Sequence, residues 1–170
     1  MQDWSGVFSV TGASAATLLG LLFVAISIHS GATGSLHQNS RLLAEQAFQN
    51  YLVVMLVSLL SLFPSLSLEE LGYATLGLTA LRAAFAVVRM YRATMQPYGQ
   101  NSRLKGLRRQ LPSLVGFGLL IVAAARMAQE AVPVRDDTRT IFASGIVLLL
   151  FAATTVAWDL LLRISAEKRA

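Results

Sequence analysis

Residues 5–28 read SGVFSVTGASAATLLGLLFVAISI, a run without one charged side chain. As an α-helix rising about 1.5 Å per residue it is roughly 36 Å long, enough to cross a hydrocarbon core of about 30 Å with some tilt. Met1, Gln2, Asp3 and Trp4 precede it without Lys or Arg. A secretory signal needs a basic n-region, so the run reads as a permanent span, not a cleaved leader.

Four further apolar segments follow, at about 50–66, 68–90, 112–132 and 141–162, with a basic segment at 91–111 between the third and fourth. Of 170 residues, 55% are apolar and only 14% charged. A soluble domain would interleave charged faces with its apolar stripes; here whole segments have none, so lipid is the expected solvent. The fold class is therefore all-α: one polytopic transmembrane helical bundle over residues 1–170, with about five spans. Local signals mark the joints. Ser67-Leu68-Glu69-Glu70 fits a capping box at a tight turn after Pro64, with two acids at the positive end of a helix. Pro112 suits a first helical position, and Pro133 suits a stop. Asp136-Asp137-Thr138 reads as the cap of the fifth helix. The fourth segment is charge-free over 112–125 only and spans if Arg126 snorkels outward.

Five spans put Arg41, Arg89, Arg92, Arg103, Lys105, Arg108, Arg109, Arg163, Lys168 and Arg169 on one side. Arg126, Arg135 and Arg139 fall on the other, with the acids Asp3, Glu69, Glu70, Glu130, Asp136 and Asp137. The positive-inside rule makes the first side cytoplasmic, with the N-terminus outside and the C-terminus inside a plasma or inner membrane. Trp4, Tyr73 and Phe142 then mark the outer boundary, and Tyr51, Tyr91 and Trp158 the inner one. This placement also explains the net charge of +5 without a nucleic-acid partner. No internal repeat suggests a two-half transporter, although a dimer would supply a second half.

Arg82 is the costly residue. It lies roughly 16 Å along the third span, near the midplane, where an Arg costs about 2.5–3.5 kcal/mol to insert. That cost implies that it faces helices, water or another chain. It reads either as a cation in a solute path or headgroup site, or as a snorkelling or carbonyl-capped residue that locks helix packing. Arg89 follows on nearly the same face. Asp159 is the carboxylate at comparable inner depth, and it allows a pair with Arg89 or, four residues along its own helix, with Arg163.

Gly12, Ala16 and Gly20 form a small-residue ladder suited to close helix packing, within the monomer or in a homo-oligomer. Arg103, Lys105, Arg108 and Arg109 beside Leu104, Leu107 and Leu111 suit a surface helix against anionic headgroups, or serve simply to hold topology. His37, Arg41 and Glu45 share helical spacing near His29, but an Arg between them opposes a metal, and no metal or cofactor is expected. The chain has no cysteine, which removes thiolate chemistry and disulfides. Intramembrane acids, bases and phosphate-cradling glycines are lacking, so an enzyme has little behind it. Two functions fit: a path for an ion or small solute, or a non-conducting accessory protein that binds a membrane complex or anionic lipid.

Overall fold

The computed structural model describes residues 2–33, 38–94, 100–129 and 136–167, with side chains at 4–28, 40–85, 88, 111–129 and 137–162. These residues form five α-helices and no strand: α1 Gln2–Thr33, α2 Gln38–Leu62, α3 Leu68–Thr94, α4 Gln100–Gln129 and α5 Asp136–Glu167. Four stretches within them are long and apolar enough to cross a membrane: Trp4–Ile28, Ser40–Leu62, Leu111–Gln129 and Asp137–Leu162.

The helices pack as two compact units. The first holds α1, α2 and α5 from Leu149 onward; the second holds the turn after Leu62, α3, α4 and α5 as far as Leu148. In the first unit α1 buries Phe8, Thr11, Ala15 and Leu22, a stripe at helical spacing. Gly12 on this stripe lets α2 come close: a Cβ there would lie 3.0 Å from the Cβ of Ser58. Thr11 Oγ1 and Ser58 Oγ are 3.1 Å apart. Thr11 Oγ1 also lies 2.9 Å from Val7 O and 3.2 Å from Phe8 O of its own helix. Either hydroxyl can donate across the interface, since Thr11 has both carbonyls and Ser58 Oγ within reach. Tyr51, buried on α2, donates to Thr154 Oγ1 on α5 at 3.2 Å, and Thr154 passes its own hydrogen to Leu150 O at 2.9 Å.

The second unit opens with the capping box read in the sequence. Ser67 N–H donates to Glu70 Oε2 at 2.8 Å, and Glu70 N–H donates to Ser67 Oγ at 3.2 Å. Leu71 N–H closes the first helical turn on Ser67 O at 2.9 Å. Gly72 then brings α3 against the α4 backbone: a Cβ there would sit 2.8 Å from Ala128 N and 3.0 Å from Ala124 O. On α5, a Cβ on Gly145 would meet the Leu120 side chain at 3.1 Å. Leu71, Phe117, Leu120, Ala123, Ala124, Met127, Phe142 and Ile146 fill the core of this unit.

Most helices run a few residues beyond the expected spans, and α2 and α4 differ further. Helix α2 begins at Gln38, twelve residues before the expected start at about Asn50, because 40–49 already carries a buried face through Ser40, Ala44 and Ala47. It ends at Leu62 instead of Leu66, since the residue before Pro64 is pushed out of helical conformation. Pro112 is not a first helical position. Helix α4 starts at Gln100 and runs through it, giving up only the N–H that would have met the carbonyl four residues earlier.

Large apolar side chains lie on the outside as well as in the core, and several polar residues are buried. Phe23 (63% exposed), Phe85 (61%) and Trp158 (64%) lie outside, while Asn50 (2%) and Thr75 (0%) lie inside. An outer surface this rich in large apolar side chains suits a hydrocarbon surrounding. The hydroxyls agree. Those of Thr17, Ser61, Thr79, Thr154 and Thr155 donate to carbonyls of their own helices. That is how a polar side chain is satisfied where no water is available.

Candidate functional site

Helix α3 places its polar residues on one face. Leu71, Gly72, Thr75 and Thr79 are buried, and Arg82 continues the same stripe at helical spacing, half-buried with its Nε enclosed. The opposite face is apolar and exposed, with Tyr73, Leu81, Phe85 and Val88. The Arg82 guanidinium thus belongs to the interior-facing side of its helix. Thr79 Oγ1 donates to Thr75 O at 2.7 Å and lies 3.3 Å from Leu76 O. Thr75 behaves differently: its Oγ1 is buried and makes no hydrogen bond among the described residues.

A second set of polar residues is buried in the other unit. Ser40, Gln46, Asn50 and Ser58 lie inside on α2, together with the Tyr51–Thr154 pair. Asp159 is half-buried on α5. The side chains of Arg89 and Arg163 lie outside the described residues, so both pairings considered for Asp159 do too. The same holds for Arg103, Lys105, Arg108 and Arg109, whose backbones form the first part of α4, and for His29. His37 lies wholly outside the described residues. Arg41 is exposed, and Glu45 accepts from Gln49 Nε2 at 3.2 Å. Among the described residues no three His, Cys, Asp or Glu gather as metal ligands.

The small-residue ladder of α1 divides. Gly12 lies against Ser58, whereas Ala16 and Gly20 are exposed, and nothing lies within 4 Å of a Cβ built on Gly20. The cause is angular. Each step of four residues advances about 40° round a helix of 3.6 residues per turn, so Gly20 sits about 80° away from Gly12.

Thr75, Thr79 and Asn50 did not stand out in the sequence, because neutral polar side chains are common in apolar helices, and Tyr51, read there as a boundary aromatic, is buried. The available signal was spacing: 72, 75, 79 and 82 fall on one helical face, with the costly Arg at its end. Compared with protein families, characterised proteins and solved structures, the chain matches none, so its function has to be argued from these helices.

Proposed function

We propose that the chain is a multi-pass protein of the plasma or inner membrane, in which α3 supplies a fifth span, the N-terminus is outside and the C-terminus inside. It forms, or helps form as a homo-oligomer, a path for an ion or small solute. The observation that carries this reading is the stripe of Thr75, Thr79 and Arg82 on the buried side of α3, opposite an exposed apolar face. An Arg that only snorkelled would have no reason to share a face with two fully buried threonines. The test is flux from liposomes containing the purified protein, compared with Arg82→Ala. Flux that falls at least tenfold in a folded variant supports the path; absence of flux for every common ion in the native protein removes it.

The accessory reading draws on a different observation. Helix α1 is the least buried of the four apolar spans, and its outward residues include Gly6, Ala13, Ala16 and Gly20, a surface on which another helix packs closely. In that reading a second copy or another membrane protein covers α1, and the basic segment 103–109 meets anionic lipid. Co-purification of a stoichiometric partner from native membranes favours it. A stable homo-oligomer that conducts alone disfavours it.

A further inference from the structure

Two threonines in the unit of α3, α4 and the first half of α5 carry hydroxyls that make no hydrogen bond among the described residues. They are Thr75 on α3 and Thr138 on α5, each 0% exposed. The hydroxyls of Thr17, Ser61, Thr79, Thr154 and Thr155, by contrast, turn back onto carbonyls of their own helices. A buried hydroxyl without a partner is costly, and the usual remedy in a protein interior is a small molecule that bonds it.

The close approaches of two glycines place this pair. Gly72 on α3 meets α4 at Ala124, Met127 and Ala128, and Gly145 on α5 meets it at Leu119 and Leu120. Thr138 precedes Gly145 by seven residues, close to two full turns, so it shares that face of α5 and lies about 10 Å nearer the helix start. Only residues 130–135 join α4 to α5, so the two run antiparallel, and Thr138 comes level with Met127. That is also the level at which Gly72 meets α4. Thr75 follows Gly72 by three residues on the buried side of α3, about 4.5 Å along its axis. Both hydroxyls therefore border one stretch of α4. They differ in height by roughly 5 Å, the spacing that one water spans with two hydrogen bonds of about 2.8 Å. On this stretch α4 presents Ala123 and Ala124, both fully buried, whose methyl side chains take up little of the level.

We propose that Thr75 and Thr138 form a binding site for a neutral hydrogen-bonding molecule of the size of water, held between α3, α5 and the alanines of α4. A hydroxyl pair supplies no net charge to offset the desolvation of an ion. Each hydroxyl can instead both donate to and accept from a water molecule. The site lies within about 10 Å of the starts of α3 and α5, the end from which water reaches it. It shares Thr75 with the path proposed above, but its occupancy requires no flux.

The experiment uses the full chain in a maltoside detergent, with water itself as the probe. Threonine γ-methyl groups are protonated in an otherwise deuterated protein, and magnetisation transfer from water is recorded by NMR. Transfer is expected at the Thr75 and Thr138 methyls and not at Thr17, whose hydroxyl bonds Ala13 O on the exposed side of α1. A hydroxyl that merely exchanges with solvent gives transfer at its own methyl whatever its neighbour; a shared molecule does not. In Thr138→Val the transfer at Thr75 is therefore lost, and the reciprocal measurement in Thr75→Val decides should Thr138→Val fail to fold. Thermal midpoints give a second reading. Thr75→Val and Thr138→Val each lower the midpoint by roughly 2–4 °C, and the double variant falls little further because the two hydroxyls share one ligand. No transfer at either methyl in the native protein, midpoints raised by valine, or additive losses in the double variant overturns the site. Transfer and coupling that persist in a protein without liposome flux support the site and remove the path. Flux in a protein whose two hydroxyls are dry does the opposite.

Discussion

Replacing Gly72 by alanine tests whether α3 and α4 are held by backbone proximity. The added methyl carbon would lie 2.8 Å from Ala128 N, 3.0 Å from Ala124 O and 3.1 Å from Met127 C. Carbon and backbone atoms normally meet at about 3.5–4.0 Å, so the helices must part by roughly 0.5–1 Å. None of the three atoms belongs to a side chain that could swing aside. Overpacking of this kind costs about 1–3 kcal/mol, against which alanine recovers about 0.5–1 kcal/mol of helix propensity. A net loss of about 1–2 kcal/mol is expected, read as a lower thermal midpoint in detergent. Two other glycines grade the effect. Gly145→Ala meets side-chain atoms only, Leu120 Cδ2 and Cγ at 3.1 Å and Leu119 Cβ at 3.3 Å, and loses less. Gly77→Ala meets nothing within 4 Å and is neutral or slightly stabilising. Equal midpoints for Gly72→Ala and Gly77→Ala would refute the close α3–α4 approach.

Ser67→Ala removes the side chain that caps α3 and should cost about 1 kcal/mol, whereas Glu70→Gln keeps an acceptor for the Ser67 N–H and should lose less than Glu70→Ala. Tyr51→Phe and Thr154→Val should each lose about 0.5–1.5 kcal/mol, and the double variant little more than either, because they share one hydrogen bond. Ser58→Ala should weaken the α1–α2 contact by a similar amount, read as earlier unfolding in a denaturing detergent titration. Reporter fusions after residues 36, 97 and 170 should report the cytoplasm, and fusions after 66 and 134 the outside; a fusion at 97 reporting the outside overturns the five-span topology.

The order and number of the helices were legible because runs free of charge are long, and lipid-compatible runs of that length have one backbone solution. The capping box was legible because all its atoms lie within four residues. The boundaries were less so. Apolar runs mark where hydrocarbon begins, while a helix continues as long as its backbone bonds do; Gln38 and Gln100 therefore start helices well before the lipid-like sequence at Tyr51 and Leu114. Arg82 was conspicuous through its cost. Its companions Thr75 and Thr79 were not, because threonines are common in apolar helices; spacing puts them on one face with Arg82, but only the fold shows that this face is buried. Partners such as Tyr51 and Thr154, 103 residues apart, leave no local trace.

The separation of an inner polar stripe from an outer apolar one has a practical consequence. The residues that specify how the helices fit, such as Gly72, Ser58, Tyr51 and Thr154, are distinct from those that choose the surrounding medium, such as Phe23, Leu81, Phe85, Phe151 and Trp158. Repainting only the latter with glutamate, lysine and glutamine would ask whether the interior can be carried into aqueous buffer without detergent. The two sets of instructions are written on different sides of the same helices, so each is open to revision while the other is left in place.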